Sequence, residues 1–240
     1  MLGTEPYYTV TSDNAEKTLC VEVTVNGYTS SATLEAGDVV PKVTGVSVVD
    51  GVDGFTPVTA PKVGQKLLAN IDTTKGTIGG YPVDPDANYK WYYQDSTDTA
   101  IGSEPYYTVT NDNAGKTICV EVSVAGFAGS AVWEAGMPVL TVTGVSVVDG
   151  IDGWTPVTDP VVGQKLLANI ATNAGEIGGS PVNPDARYKW YYKESPDTVL
   201  GTEAYYTITS DNEGKTICVE VSVDYYAGTA VWEASGIVQP

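Results

Sequence analysis

Three cysteines recur along the chain at a constant spacing. Cys20, Cys119 and Cys218 lie 99 residues apart, and they are the 3 cysteines of the whole sequence. Each stands in nearly the same stretch, which reads SDNAEKTLCVEVTV at 12–25, NDNAGKTICVEVSV at 111–124 and SDNEGKTICVEVSV at 210–223. Because each repeat carries one thiol, no disulfide can form within a repeat. A bridge to the next repeat would need Cα atoms within about 7 Å of each other.

The residues around each cysteine predict a β-strand, and alternation along the strand predicts which way the thiol faces. In TICVEVSV (216–223), the isoleucine and the three valines share one face, whereas Cys218 shares the other with a glutamate and a serine. We therefore expect all three cysteines to face solvent. Three uses are open: a passive residue covered by a neighbouring side chain, a disulfide between chains of an assembly, or a metal or redox role. The last lacks a second Cys or His at ligand spacing.

Two acidic turns offer a different chemistry. VDGVDGFTP (49–57) and VDGIDGWTP (148–156) each place two carboxylates three residues apart among glycines. Calcium takes six to eight oxygen ligands, so these carboxylates and nearby backbone carbonyls could bind it. The alternative is that Asp-Gly simply forms a turn, and the ligand count falls short of an EF-hand loop. We expect no cofactor unless these turns bind calcium, in which case its ligands would be Asp50, Asp53, Asp149 and Asp152.

Aromatic residues are the third group of candidates. The 16 tyrosines and 5 tryptophans suggest a surface that stacks on sugars or contacts a protein. We expect Phe55 and Trp154 to pack at the end of a domain. The remaining candidates for contact with a glycan, a surface protein or an adjacent repeat are Tyr28, Tyr92, Phe127, Tyr191 and Tyr225, because an exposed aromatic cluster is typical of an interface.

Composition argues against several functional classes. The chain has no histidine to act as a base near neutral pH, and it contains no nucleophile elbow or phosphate-binding loop. We predict that it is not an enzyme. The net charge of −18 disfavours nucleic acid and anionic membranes as partners, and no apolar run is long enough to span a membrane.

Short alternating runs bounded by Gly, Pro, Asn and Asp predict β-strands throughout, and nothing has the period of a helix. In the last repeat the predicted strands are 142–148, 162–171, 187–193, 204–209, 215–223 and 228–234, with turns such as KESPDT (193–198) between them. Seven or eight short strands in 99 residues are typical of a β-sandwich. The fold class is therefore all-β, with essentially no helix.

The same spacing sets the domain organisation. Residues 43–141 and 142–240 are two full copies, whereas residues 1–42 match only the second half of a copy. That half copy lacks the early strands, so we expect it to expose a sheet face and unpaired edges. The early strands would come from an adjacent molecule or from polypeptide upstream, of which we favour the second. The apolar residues expected on the face are Tyr8, Val10, Leu19, Val21, Val23 and Val25.

The motifs VGQKLLANI, YKWYY and YYTITSDNEGKTICVEVSV, followed by an aromatic–Ala–Gly turn, resemble the bacterial immunoglobulin-like repeats of large secreted surface proteins. The resemblance covers both full copies and the half copy. It departs from the family in the long 171–187 connection, the DGxDG turn and the cysteine. It implies tandem sandwiches, buried indoles at Trp91 and Trp190, a secreted or bacterial cell-surface location, and no catalytic residues.

The function predicted from these observations is a structural or adhesive extracellular array: a stalk, adhesin shaft, surface layer or filament subunit. Its partners would be adjacent repeats or copies of itself. The copies follow one another without a linker, which limits motion between them and favours a rod. The alternative is an array of carbohydrate-binding modules that use the exposed tyrosines.

Overall fold

Strands and tight turns account for nearly all regular structure in the chain. The computed structural model describes residues 1–79, 84–178 and 183–240. Within these ranges the helical segments are three single-turn 3-10 helices, Ser12–Asn14, Asn111–Asn113 and Ser210–Asn212. Each occupies the same place in the repeat, directly before the cysteine-bearing strand. The prediction of an all-β fold is confirmed.

The described chain divides into two units, and the first comprises residues 1–59, 65–108 and 117–136. Its strands are β1 (Cys20–Thr24), β2 (Ser31–Glu35), β3 (Val43–Asp50), β4 (Lys66–Thr73), β5 (Gly76–Ile78), β6 (Ala87–Tyr93), β7 (Tyr106–Thr108), β8 (Ile118–Val124) and β9 (Ser130–Glu134). β1 and β2 form a hairpin. One sheet has the order β3-β4-β5 with β7 also paired to β4, and the other has the order β6-β8-β9.

The second unit comprises residues 60–64, 109–116 and 137–240. Its strands are β10 (Val142–Asp149), β11 (Lys165–Thr172), β12 (Gly175–Ile177), β13 (Ala186–Tyr192), β14 (Ser195–Gly201), β15 (Tyr205–Thr207), β16 (Ile217–Val223) and β17 (Ala230–Glu233). One sheet has the order β10-β11-β12 with β15 on β11, and the other β14-β13-β16-β17. Two antiparallel sheets enclosing one core make each complete repeat an immunoglobulin-like β-sandwich.

The core of each sandwich forms where the inward positions of the two sheets meet. In the second unit, Trp190 of β13 lies directly opposite Val219 of β16, and both are fully buried with Leu166 of β11. The indole of Trp190 stacks on Tyr206 with 5.5 Å between ring centroids, and its Nε1–H donates to the carbonyl of Glu203 at 2.8 Å.

Trp91 repeats this arrangement in the first unit, with Tyr107 at 5.5 Å and the carbonyl of Glu104 at 2.8 Å. The prediction that both indoles are buried is confirmed.

β14 differs from the sequence prediction, which placed a turn at 193–198. This strand pairs with β13 through two register irregularities. A bulged pairing breaks the regular alternation that marks a strand in the sequence. The equivalent segment of the first unit makes only isolated bridges, Trp91 with Gly102 and Tyr93 with Ser96.

Candidate functional sites

The acidic turn of the first unit is held closed by its own carboxylates. Asp50 Oδ1 accepts a hydrogen bond from the backbone N–H of Val52 at 2.8 Å. Asp53 Oδ1 accepts from the N–H groups of Phe55 and Thr56, each at 2.9 Å. The hydroxyl of Thr56 donates to Asp53 Oδ2, and Gln65 donates to Asp50 Oδ2 at 2.9 Å. These bonds favour the charged carboxylates, so the pKa of Asp50 is lowered chiefly by Gln65 and that of Asp53 chiefly by Thr56.

The acidic turn of the second unit repeats this network. Asp149 Oδ1 accepts from Ile151 N at 2.8 Å, and Asp152 Oδ1 accepts from Trp154 N and Thr155 N, each at 3.0 Å. The pKa of Asp149 is lowered chiefly by the Ile151 N–H, and that of Asp152 chiefly by the Thr155 hydroxyl. The described part of the chain contains no group of three or more His, Cys, Asp or Glu side chains that could hold a metal ion. Calcium at these turns stays a prediction.

The closed turns display an aliphatic and an aromatic side chain at their tips. Phe55 and Trp154 are 74% and 76% exposed, and Val52 and Ile151 are both 86% exposed. The prediction that Phe55 and Trp154 pack at a domain end is therefore wrong. The physical reason is that the polar groups of the turn are satisfied internally. For example, Asp50 N donates to the carbonyl of Thr56 at 2.8 Å, which leaves the apolar tips outside.

The cysteines of the complete repeats are shielded. Cys119 and Cys218 are each 2% exposed, whereas Cys20 is exposed. The prediction that all three face solvent is therefore wrong for Cys119 and Cys218. Both cysteines do lie on the outer face of their sheet, but a tyrosine and a glutamate on the two flanking strands stand opposite each thiol and cover it. The partners are Tyr92 and Glu134 for Cys119, and Tyr191 and Glu233 for Cys218.

Shielding also changes the chemistry of the thiols. Burial raises the pKa of both Cys119 and Cys218, and the nearby carboxylates of Glu134 and Glu233 raise it further. Because the thiolate is the reactive species, these two thiols are poor nucleophiles and poor metal ligands. An intermolecular disulfide stays a prediction, and the geometry leaves Cys20 as the accessible sulfur for it.

The predicted contact aromatics divide by exposure. Tyr92 is buried against Cys119, so its expected outward contact role is wrong, and Tyr191 and Phe127 are half-buried. Tyr28 and Tyr225 are exposed. Tyr225 has φ 70°, a left-handed conformation that the equivalent turns give to Gly27 and Gly126. Within the second unit its carbonyl accepts from Val63 N at 2.9 Å, and its ring lies 5.8 Å from the ammonium of Lys62.

The junction at 139–142 is ordered on both sides. On the side of the preceding repeat, Val139 N donates to the carbonyl oxygen of Lys116 at 2.9 Å. On the side of the following repeat, Ala227 N donates to the carbonyl oxygen of Leu140 at 2.8 Å, and Val142 N donates to the carbonyl oxygen of Ala227 at 2.9 Å. Asn173 adds two bonds, because its Nδ2 donates to the carbonyl of Val139 and its Oδ1 accepts from Thr141 N, both at 3.0 Å. Val139, Leu140 and Val142 are buried.

The junction at 40–43 in the first unit follows the same pattern. Val40 N donates to the carbonyl oxygen of Lys17 at 3.1 Å. Ala128 N donates to the carbonyl oxygen of Pro41 at 2.8 Å, and Val43 N donates to the carbonyl oxygen of Ala128 at 2.9 Å. Thr74, equivalent to Asn173, accepts from Lys42 N at 3.1 Å. Sequence reasoning found that the copies follow one another directly, but it did not identify these bonds.

Comparison with known proteins gives fold-level likenesses alone. No protein-family model matches the chain, and a search of curated proteins found no match. Among solved structures it is similar to three N-terminal domains of the highly immunogenic outer capsid protein (Hoc) of bacteriophage RB49, with TM-score 0.46 and 16% identity over 82% of this chain and 59% of that one.

It is also similar to a Dscam structure concerned with isoform specificity, with TM-score 0.26 and 13% identity over 83% of this chain and 45% of that one. The four N-terminal Ig domains of Dscam1 isoform 7.44 match with TM-score 0.25 and 12% identity, over 76% of this chain and 42% of that one. The chain thus spans less than two thirds of each of these structures. With TM-scores below 0.5, none of them bears on function, and the fold assignment rests on the strand order itself. Among the described residues, no helix is long and apolar enough to cross a membrane.

Proposed function

We propose that the chain is a non-catalytic structural and adhesive array of extracellular immunoglobulin-like repeats, in the manner of a stalk, adhesin shaft, surface layer or filament subunit. The observation that carries this proposal is the ordered junction. At 139–142 the backbone bonds at one end to Lys116 and at the other to Ala227. A flexible linker would leave these groups to water, whereas here they are bonded within the second unit, which supports a short and ordered connection between repeats.

The chemistry of the rest of the molecule supports a passive role. The thiols of the complete repeats are shielded, the turn carboxylates are engaged by their own backbone, and the sequence has no histidine. A net charge of −18 keeps a chain soluble and separates it from its neighbours by repulsion. These properties suit a surface exposed to solvent along its length.

The structural part of the proposal is tested by hydrogen–deuterium exchange on the full chain together with small-angle X-ray scattering. We expect the amides of Val139, Thr141 and Val142, which donate hydrogen bonds at the junction, to exchange as slowly as those of β16, and the scattering profile to fit one arrangement of repeats. Fast exchange at 139–142 with a profile that requires freely swinging repeats would contradict it.

The adhesive part is tested at the exposed turn tips. Phe55→Ser together with Trp154→Ser should reduce retention of the chain on a cell or matrix surface, because these side chains contribute the apolar area available for contact at the turns. Val132→Ser together with Val231→Ser is the matched control, since both valines are exposed on strands. Equal retention of both variants and the parent chain would show that Phe55 and Trp154 do not belong to the adhesive surface.

A carbohydrate-binding role is the second candidate, and one observation favours it. Trp154 is the exposed tryptophan among the described residues, and it stands on a hydrogen-bonded turn whose flanking groups are a carboxylate and a hydroxyl. An aromatic face among hydrogen-bonding groups is the usual arrangement for stacking on a sugar ring. Titration with a panel of polysaccharides should change the tryptophan fluorescence of the parent chain and not that of Trp154→Ser. No change across the panel would reject this candidate.

A further inference from the structure

Tyr225 adopts a backbone conformation that the equivalent turns give to glycine. Its φ of 70° lies in the left-handed region, where Gly27 and Gly126 have φ of 87° and 78°. A bulky residue seldom takes up this region, because its Cβ then crowds the backbone. Glycine would fit the turn with less strain, so the tyrosine points to a contact outside the turn itself.

That contact is with residues 60–64. They belong by sequence to the preceding repeat, but they lie in the second unit together with Tyr225. The carbonyl of Tyr225 accepts from Val63 N at 2.9 Å. The ammonium of Lys62 lies 5.8 Å from the centroid of the tyrosine ring, which is within the reach of about 6 Å for a cation–π contact. The equivalent of Lys62 in the last repeat is Val161, which has no charge to offer a ring.

The hydrogen bond to Tyr225 replaces one that a repeat otherwise makes with itself. In the last repeat, the N–H equivalent to that of Val63 donates to the carbonyl of Gln239 at 3.0 Å. Leu140 is the equivalent of Gln239 in the preceding repeat, but its carbonyl accepts from Ala227 N at 2.8 Å. Because the junction directs the Leu140 carbonyl to Ala227, the N–H of Val63 takes the carbonyl of Tyr225 as its acceptor.

The residue before Tyr225 is fixed by an ion pair that belongs to this repeat. Arg187 Nη2 pairs with the carboxylate of Asp224, and Arg187 Nη1 donates to the carbonyl of Pro184 at 2.7 Å. The equivalent positions of the first complete repeat hold Asn88 and Ala125, which cannot form an ion pair. An exposed pair adds little to stability, but it connects the start of the turn to the neighbouring loop.

We infer that Tyr225 and Lys62 form a side-chain contact between two consecutive repeats, which adds to the main-chain bonds of the junction and restricts residues 60–64. The inference rests on the proposed role as a structural array, and it names the side chains that stiffen one connection within that array. Of the partners that the sequence left open for Tyr225, it selects the adjacent repeat over a glycan or a surface protein.

The experiment follows amide exchange of Val63 by NMR in the full chain. Tyr225→Gly should accelerate exchange at Val63 about threefold, the size expected of an exposed cation–π contact. The free energy of unfolding in urea should not fall, because glycine accepts the left-handed φ without strain. A tyrosine needed only for folding would instead lower both quantities. Tyr28→Gly is the matched control, since Tyr28 is an exposed tyrosine of the equivalent turn, and it should leave Val63 unchanged.

Three further variants separate the ring from the rest of the residue. Tyr225→Phe keeps an aromatic face and should retain the parent exchange rate at Val63. Lys62→Gln should accelerate exchange as Tyr225→Gly does. The double variant Lys62→Gln with Tyr225→Gly should be no faster than either single variant, because both remove the same interaction.

The outcomes distinguish this contact from the array on which it rests. If Val63 is unprotected in the parent chain, or exchanges at the parent rate in Tyr225→Gly, the inference is wrong and the ordered junction at 139–142 is unaffected. It is also wrong if the effects of Tyr225→Gly and Lys62→Gln add in full. If the amides of 139–142 exchange fast in the parent chain while protection of Val63 depends on Tyr225, the contact is supported and the array proposal fails.

Discussion

At the scale of single residues, a buried asparagine organises each repeat. Asn212 Oδ1 accepts from Thr209 N at 2.7 Å and from the hydroxyl of Tyr206 at 3.1 Å, while its Nδ2 donates to the hydroxyl of Tyr192 at 2.9 Å. One side chain thus joins the turn before β16 to strands of both sheets. An amide suits this position because it both donates and accepts.

Asn212→Ala should destabilise the protein by about 2–3 kcal/mol, because it leaves buried polar groups without partners. Urea unfolding measures the change in the free energy of unfolding. Asn183→Ala is the control, since Asn183 closes an exposed turn through one bond to Asp185 N, and it should cost much less. If the two variants lose equal amounts of free energy of unfolding, the buried hydrogen-bond network contributes no more to stability than the exposed turn.

The thiols give a second prediction at this scale. A thiol reagent should modify Cys20 rapidly in the native chain and reach Cys119 and Cys218 only after unfolding, because those two are shielded and have raised pKa values. Cys20→Ser should abolish the rapid phase, and Cys119→Ser should leave it unchanged. Rapid modification of all three thiols would contradict the shielding by Tyr92 and Tyr191.

Sequence reasoning succeeded where the determining contacts are local and failed where they are not. The burial of Trp190 was expected from the resemblance of YKWYY to the tryptophan strand of immunoglobulin-like repeats, and this motif lies within a single strand. The shielding of Cys218 depends on Tyr191 and Glu233, which stand opposite it on other strands, and a strand-by-strand reading does not contain those pairings. The exposure of Trp154 depends on a turn that satisfies its own polar groups, which the Asp-Gly pattern indicates but does not orient.

At the scale of elements, the acidic turns should loosen in acid. The pKa of Asp152 is lowered in the folded chain from its ordinary 3.8, so the stability it contributes is present above pH 3.8 and is lost as the pH falls through the lower folded value. Hydrogen exchange at Trp154 and Thr155, corrected for the intrinsic rate, should accelerate in that range. Asp152→Ala should show the fast exchange at every pH, whereas Asp53→Ala should leave the second-unit turn unchanged.

The junctions give a matched pair of substitutions. Asn173→Ala removes two hydrogen bonds from the junction at 139–142. Thr74→Ala removes one hydrogen bond from the junction at 40–43, which Lys42 N donates to the hydroxyl of Thr74. At about 1 kcal/mol for each bond, exchange should accelerate about thirtyfold at Thr141 in the first variant and about fivefold at Lys42 in the second. No acceleration in either variant would show that packing alone orders the junction.

At the scale of the whole molecule, stability should be flat across neutral pH and fall in alkali. The chain has no histidine, the one side chain that ordinarily titrates between pH 5 and 8. Burial raises the pKa of Cys119 and Cys218 above the ordinary 9.0 and that of Tyr89, Tyr188 and Tyr206 above 10.0. The folded state therefore holds protons that the unfolded state releases. The stability that these thiols and phenols contribute is full below pH 9.0 and is lost as the pH rises through their folded pKa values.

Urea unfolding from pH 6 to 11 measures this dependence. Cys119→Ser with Cys218→Ser should reduce the decline that begins near pH 9 and keep the later one that the tyrosines cause. Cys20→Ser is the control and should reproduce the parent curve. A stability maximum within the neutral range, or an identical curve for the double variant, would contradict the assignment.

The junctions also bear on how such a gene can change length. Both are closed largely by amide and carbonyl groups of the main chain, which every repeat of the same length presents at the same places. A recombination event that inserts or removes a whole 99-codon unit therefore creates no junction that is chemically new. Copy number can vary while each join between neighbours is inherited intact, so related genes are expected to differ by whole repeats more readily than by loop insertions at 139–142.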